Sequence, residues 1–138
     1  MITKSLEDYI EYIYTSISGG NELKAVDIAR YFNISRASVS EALIKLCELG
    51  LIIYEGRKGI IITQKGEIEA KRVIKKHQIL LNFFNKVLNI DFEKSSDNAC
   101  KIEHVIDDDV VLMLEKFNLY SENRKIRQEF GDFIKNDK

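Results

Sequence analysis

Hydrophobic and polar residues alternate with a helical period at the start of the chain. Apolar side chains recur every three or four positions, at Leu6, Tyr9, Ile10, Ile13 and Ile17. This spacing predicts an amphipathic helix from Ser5 to Ser18, because one turn of an α-helix brings such positions onto the same face. Ser5 is a candidate N-cap for this helix, and Gly19 is expected to end it.

Two further helical patterns follow, and the short turn Asn33-Ile34 separates them. They cover residues 24–31 and 35–49, with inward positions predicted at Ala25, Ile28, Ala29, Phe32, Val39, Leu43 and Leu46. Two helices joined by so short a turn are typical of a helix-turn-helix motif, whose second helix enters the major groove of DNA. Ser35 is expected to cap this second helix. The candidate DNA-binding residues of its first turns are Ser35, Arg36, Ser38 and Ser40.

The pattern then changes to two short β-branched runs, residues 51–54 and 60–62, around a glycine-rich, basic connection. These runs predict a β-hairpin wing, in which Arg57 and Lys58 are candidates for contacts to the DNA backbone. Thr63 is expected to cap a long helix that reaches Leu88.

Helical spacing continues to the end of the chain, including Phe92 to Ile106, residues 110–117 and Ile126 to Ile134. The predicted fold class is mainly α: a winged helix-turn-helix domain at residues 1–66 and an all-α dimerisation domain at residues 67–138. Short apolar helices of this kind complete their core against a second copy, which predicts a twofold homodimer.

Charge is distributed unevenly along the chain, although the formal net charge is only −1. Eight basic and two acidic residues lie between Arg57 and Lys86, whereas Glu103 to Glu115 contains five acidic residues and no Lys or Arg. We therefore expect the two parts to have different partners, with double-stranded DNA on the basic side. A solvated face that attracts DNA over long range is expected at Lys71, Arg72, Lys75 and Lys76.

Composition limits the class of protein. Hydrophobic residues make up 45% of the chain and charged residues 31%, which is typical of a globular protein and not of a disordered one. The apolar runs are too short to cross a bilayer, and we expect neither a membrane nor a small-molecule substrate as partner. Cys47 and Cys100 are interpreted as reduced thiols, which favours a cytoplasmic location.

Potential metal ligands cluster in the second half of the chain. Cys100, Glu103 and His104 follow one another at positions i, i+3 and i+4, so a helix would present them on one face. Thiolate, carboxylate and imidazole groups are ligands of first-row transition metals. Spacing alone leaves two interpretations open, a metal site or a buried cysteine near unrelated polar residues.

Other potential ligands lie elsewhere. Asp8 and Glu11 share the more polar face of the first predicted helix, and His77, the only other histidine, lies on the long helix. Asp8 and Glu11 could complete the coordination that three ligands leave open.

Three segments of the chain resemble iron- and manganese-dependent regulators of the diphtheria-toxin-repressor family. Residues 7–14 are similar to the first helix of that family, residues 35–49 to its recognition helix, and residues 97–105 to its metal-binding helix. The resemblance implies metal-driven repression of metal-homeostasis genes by a dimer bound to a palindromic, inverted-repeat operator. It places a primary metal site on Asp8, Cys100, Glu103 and His104, with Glu11 and His77 where manganese-type members hold a second ion.

Two positions each depart from one branch of the family. Asp8 stands where iron-type members have methionine, and Cys100 stands where manganese-type members have glutamate. The resemblance therefore implies a hybrid site for Fe(II) or Mn(II), with one or two ions per subunit. A thiolate is softer than a carboxylate, which favours Fe(II) over Mn(II).

The resulting hypothesis is a non-enzymatic switch in which a shared ion connects the first helix to the Cys100 helix and fixes the orientation of the DNA-binding domain. Two alternatives remain at this stage. One is a winged-helix regulator without metal control, either constitutive or with Cys100 as a thiol sensor. The other is a small metalloenzyme that activates water at an open coordination position.

Overall fold

The computed structural model describes residues 2–56 and 59–137, and most of these residues are helical. The elements are, in chain order, α1 (Lys4–Ser18), α2 (Ala25–Phe32), α3 (Arg36–Glu48), β1 (Ile52–Tyr54), β2 (Ile60–Ile62), α4 (Gln64–Asn82), α5 (Phe92–Ile102), α6 (Asp108–Glu122) and α7 (Ile126–Asn136). A π-helical turn, Phe83–Val87, follows α4 directly. The predicted fold class, mainly α with a winged helix-turn-helix, is confirmed.

The chain divides into two compact units, Met1–Val73 and Ile74–Lys138. The first unit ends inside α4, seven residues after the predicted domain boundary at residue 66. The division into a DNA-binding domain and a dimerisation domain at residue 66 stays a prediction. None of the helices in residues 2–56 and 59–137 has the length and apolar character that a bilayer crossing needs.

Hydroxyl side chains cap α1, α3 and α4, three helices that begin in the first unit. Ser35 Oγ accepts a hydrogen bond from Ser38 N at 3.1 Å, and Thr63 Oγ1 accepts one from Gly66 N at 3.0 Å. Both predicted caps are therefore confirmed. The predicted cap of α1 is wrong, because Thr3 Oγ1 accepts the bond from Leu6 N at 3.3 Å, whereas Ser5 lies within the helix. Thr3 has the extended backbone angles that an N-cap requires.

The helix-turn-helix and the hairpin form as the sequence predicts. Asn33, with φ of 54°, ends α2 in the left-handed region, and α3 begins three residues later. Strands β1 and β2 pair antiparallel with Ile53 opposite Ile61. The wing residues Arg57 and Lys58 lie outside the described residues. Gly66 permits close packing of α4, because a Cβ there would clash with the carbonyl oxygen of Leu51.

The core of the first unit is formed by α1, α2, α3, the hairpin and Ala70 of α4. Its largest fully buried side chains are Ile10, Ile13, Ile28, Val39, Leu43 and Leu46. These positions match the apolar pattern of the sequence. Burial of each such aliphatic side chain contributes about 1.5–3 kcal/mol to folding.

Arg72 corrects the expectation of a solvated basic face on α4. Its Nη2 lies 2.7 Å from Glu7 Oε2 on α1 and 2.7 Å from Glu69 Oε1 on α4. The side chain of Glu7 is only 7% exposed. Arg72 therefore pairs with a buried carboxylate and attaches α1 to the first half of α4.

The second unit packs the end of α4 and the π-helical turn against α5, α6 and α7. Phe83 of the π-helical turn meets Phe117 of α6 edge to face, with ring centroids 6.1 Å apart. Asn118 Nδ2, also on α6, donates a hydrogen bond to the Ile79 carbonyl oxygen at 3.1 Å. These contacts hold α6 on the segment of α4 that follows residue 74.

The predicted continuation of α5 through Val105 and Ile106 is wrong, because the helix ends at Ile102. The chain then turns: Val105 N bonds to Ile102 O at 2.9 Å, and Asp107 is the N-cap residue of α6. Acidic residues at 107–109 favour a new helix start here, since negative side chains stabilise the positive end of a helix dipole.

Candidate metal centre and nucleic-acid interface

Three potential ligand atoms meet within the second unit. His77 Nδ1 lies 2.9 Å from Glu103 Oε2 and 3.6 Å from Cys100 Sγ. One ligand atom from each of these three residues lies within 4.8 Å of the others. His77 comes from α4, whereas Cys100 and Glu103 come from the end of α5, so the cluster joins two elements.

His104 extends this cluster. Its Nε2 lies 3.3 Å from Glu103 Oε1, and its side chain is 1% exposed. The expectation that Cys100, Glu103 and His104 share one helical face needs correction, because α5 ends at Ile102 and His104 lies in the following turn. Glu103, the C-cap residue, keeps helical backbone angles of φ −55° and ψ −28°, and this keeps its carboxylate beside Cys100.

Burial makes Glu103 the electrostatic centre of the cluster. Its side chain is 3% exposed, and a histidine nitrogen lies next to each of its oxygens. Removing a carboxylate from water costs several kcal/mol unless positive charge or hydrogen bonds compensate. The two imidazoles can supply this compensation, and a bound cation could supply it as well.

The donor set fits a divalent transition metal. Nitrogen, oxygen and sulfur ligands bind such ions at about 2.0–2.3 Å, which places neighbouring ligand atoms about 3–4 Å apart. The contacts of His77 with Glu103 and Cys100 lie at or close to that range. The side chain of His77 is 20% exposed and Cys100 is also exposed, so an ion could enter from solvent.

The two other predicted ligands, Asp8 and Glu11, belong to the first unit. They lie one turn apart on α1 and are both half-buried. Glu7, the residue before Asp8, is the carboxylate that Arg72 binds, so the rotation of α1 about its axis is fixed close to Asp8.

Four of the predicted DNA-binding residues lie at the start of α3, and all four are exposed: Ser35, Arg36, Ser38 and Ser40. Ser35 and Ser38 bond to each other, with Oγ to Oγ at 2.9 Å. Arg36 lines a cavity of ≈ 560 Å³ together with Lys24 and Tyr54. Sequence reasoning missed Lys24 and Tyr54, because the cavity forms only when α2, α3 and the hairpin meet.

Known proteins resemble both parts of the chain. The model of the iron dependent repressor N-terminal DNA binding domain matches residues 1–60, and the model of the iron dependent repressor metal binding and dimerisation domain matches residues 63–125. The HTH-type transcriptional regulator MntR of Bacillus subtilis is 35% identical over 104 residues, which are 75% of this chain and 72% of that regulator. The chain belongs to the diphtheria-toxin-repressor family of metal-dependent transcriptional repressors.

Other relatives of this repressor family agree with that assignment. An uncharacterised HTH-type transcriptional regulator of Methanocaldococcus jannaschii is 35% identical over 125 residues, 90% of this chain and 98% of that protein. The solved manganese regulator SloR is 29% identical with a TM-score of 0.73, over 87% of this chain and 55% of SloR. ScaR with bound Zn²⁺ is 26% identical with a TM-score of 0.74, over 83% of this chain and 54% of ScaR. The chain thus spans about half the length of these two solved proteins.

Lys76, which directly precedes His77 on α4, is buried. The charge pattern of the sequence predicts a solvated position for it, and this prediction is wrong because Lys76 is only 9% exposed. Its partner Asp108 lies 32 residues further along the chain, so the charge pattern alone gave no signal for the pair.

Proposed function

We propose that this chain is an Fe(II)- or Mn(II)-dependent transcriptional repressor that binds an inverted-repeat operator as a homodimer. The observation that carries the proposal is the cluster of His77, Cys100 and Glu103. All three residues lie within the segment 63–125, which resembles the iron dependent repressor metal binding and dimerisation domain. The helix-turn-helix with an exposed Arg36 supports DNA as the partner.

The proposed ligands are Asp8, Glu11, His77, Cys100, Glu103 and His104, for one or two ions per subunit. The solved relatives include the manganese regulator SloR and ScaR with bound Zn²⁺. Mn(II) and Fe(II) both accept such nitrogen and oxygen donors, and the Cys100 thiolate favours Fe(II).

Asp8 and Glu11 give the proposed site its regulatory consequence. They belong to the DNA-binding part of the chain, whereas the other four ligands belong to the second unit. A bound divalent cation would supply the positive charge that lets carboxylates from both parts share one site. Ligands on both sides would then restrict the orientation of the DNA-binding part before it meets DNA.

The DNA contacts are proposed for the start of α3 and for the wing. Arg36 would contact a base edge or a phosphate, and Ser35, Ser38 and Ser40 would form hydrogen bonds to bases or phosphates. Arg57 and Lys58 would contact the backbone. Lys24 lies at the same cavity as Arg36 and adds a second positive charge to this surface.

An exposed apolar stripe on α6 supports the dimer. Its exposed members are Val110, Leu112, Met113, Phe117, Leu119 and Tyr120. A stripe this wide is unfavourable in water, and a second copy of the same stripe would cover it. The matched domain is described as a dimerisation domain, which agrees with this assignment. Two recognition helices about 34 Å apart, or a multiple of that spacing, would read a palindrome.

Binding to a duplex selected from a random pool tests the proposal. The expected result, under anaerobic conditions, is binding that rises with added Fe(II) or Mn(II) and falls after EDTA. Binding unchanged by EDTA would favour a regulator without metal control, the alternative in which Cys100 is a thiol sensor or a core residue. No specific duplex in any metal condition would contradict the repressor function.

A further inference from the structure

Lys76 is a buried cation beside the proposed metal ligands. Its side chain is 11% exposed, and its Nζ lies 2.6 Å from Asp108 Oδ1. The same Nζ donates a hydrogen bond to the carbonyl oxygen of Ile106 at 3.1 Å. An ammonium group is costly to bury unless it is paired, so a conformation that keeps both contacts is strongly favoured over one that loses them.

These contacts fix the turn that carries two of the proposed ligands. The turn between α5 and α6 begins with Glu103 and His104 and ends at Ile106 and Asp107. Lys76 binds its far end, because Ile106 lies in the turn and Asp108 is the first residue of α6. The turn is therefore held at one end by α5 and at the other end by an ammonium group from α4.

We propose that Lys76 is a positioning residue for the metal site, and this inference rests on the proposed function. Lys76 directly precedes His77 on α4, so the same helical turn contributes one ligand and holds the segment that carries two others. Residues that orient ligands without touching the ion change metal affinity by about 10–100-fold when they are mutated. Lys76 acts on the ion only through Glu103 and His104.

The neighbouring residue Lys75 provides a matched control. Its Nζ lies 3.4 Å from Glu115 Oε2, which also joins α4 to α6, but its side chain is 66% exposed. An exposed pair of this kind contributes little to stability. Lys75→Met removes the same charge from the same helix one residue away.

The test is an anaerobic titration of the full-length chain with Co(II), read by absorption. Ligand-field bands report the geometry around Co(II), and a charge-transfer band reports the bond to the Cys100 thiolate. For Lys76→Met we expect Co(II) affinity to fall by about 10–100-fold. The ligand-field bands should change because Glu103 and His104 lose their fixed positions. The charge-transfer band should persist because Cys100 lies within α5.

Two further variants separate positioning from general damage. Lys76→Arg should recover most of the affinity, because a guanidinium group also donates to a carbonyl and a carboxylate. Asp108→Asn should weaken Co(II) binding in the same direction with the same spectral change, and it serves in place of Lys76→Met if that variant does not fold. Thermal unfolding of each apo variant verifies the fold.

The outcomes distinguish this inference from the function on which it rests. If the wild-type chain binds Co(II) and Lys76→Met binds it with unchanged affinity and spectrum, the positioning role is wrong while the metal site stands. An equal loss in Lys75→Met would also overturn it. If the wild-type chain binds neither Co(II), Fe(II) nor Mn(II), the proposed function fails and the inference fails with it.

Discussion

Arg72 of α4 lies 2.7 Å from the buried carboxylate of Glu7 on α1, although 65 residues separate them in the sequence. The pair holds α1 in a fixed rotation, and Asp8 and Glu11 follow Glu7 on that helix. The Arg72–Glu7 pair therefore also helps to set the positions of Asp8 and Glu11, two of the proposed metal ligands.

Arg72→Met should destabilise the chain strongly. The variant removes a cation that lies 2.7 Å from a carboxylate with 7% exposure, and we expect the free energy of unfolding to fall by about 2–3 kcal/mol. Urea unfolding followed by circular dichroism measures this change. Lys75→Met, an exposed position on the same helix, is the control and should change stability by less than about 1 kcal/mol. Equal stabilities of the two variants would contradict the role of Arg72.

Cys100→Glu should change metal selectivity more than fold stability. Cys100 is exposed, and the substitution replaces only one potential donor of the cluster. A carboxylate oxygen is harder than a thiolate, so affinity for Co(II) and Zn(II) should fall relative to affinity for Mn(II). Competition titrations with a metal-binding dye give the ratio of the dissociation constants. An unchanged ratio would mean that Cys100 does not bind the ion.

Arg36→Ala should weaken DNA binding and leave metal binding intact. Arg36 is exposed at the first position of α3, in the first unit. Loss of one base or phosphate contact should cost about 1–3 kcal/mol of DNA affinity. Fluorescence anisotropy with a selected duplex measures the loss. Lys125→Ala, which removes one positive charge near α7, is the control and should bind DNA like the wild type.

Met113→Asp should convert the proposed dimer to a monomer. Met113 is 62% exposed within the apolar stripe of α6, and a charge buried against a second copy would lack a partner. Sedimentation velocity measures the mass. Lys125→Asp, an exposed position beyond the end of α6, tests whether any added negative charge has this effect. A Met113→Asp variant that stays dimeric would place the interface elsewhere.

Local signals were sufficient for most of the fold. Ser35 and Thr63 cap α3 and α4 as their positions before apolar periodic segments predict. The hairpin forms where two β-branched runs flank a glycine-rich connection. Each of these features depends on residues a few positions apart, which is why the sequence pattern reveals them.

The sequence pattern does not reveal ion pairs between residues that are far apart along the chain. Arg72 and Lys76 had the composition of a solvated basic face, but Glu7 and Asp108 pair with them in the folded chain. The end of α5 at Ile102 was missed as well, because the apolar spacing continues to Ile106 while the backbone turns towards α6.

The candidate metal site was partly visible in the sequence. Residue spacing identifies Cys100, Glu103 and His104 as a group and offers Asp8, Glu11 and His77 as further potential ligands. The resemblance to a family assigns all six residues to metal sites. Residue spacing could not predict that α4 packs close to the end of α5. In the fold, His77 Nδ1 on α4 lies 2.9 Å from Glu103 Oε2 at the end of α5. The assignment of these residues as ligands stays a prediction.

Metal binding and DNA binding are expected to be energetically coupled, and the metal affinity measured with and without a selected duplex tests this coupling most directly. Coupling between two sites is reciprocal, so a metal that strengthens DNA binding must itself bind more tightly to the DNA complex. We predict that saturating duplex raises the Fe(II) or Mn(II) affinity by about 5–150-fold, the usual range for such coupling. Equal metal affinities with and without the duplex would contradict this coupling and the proposed metal-dependent repression.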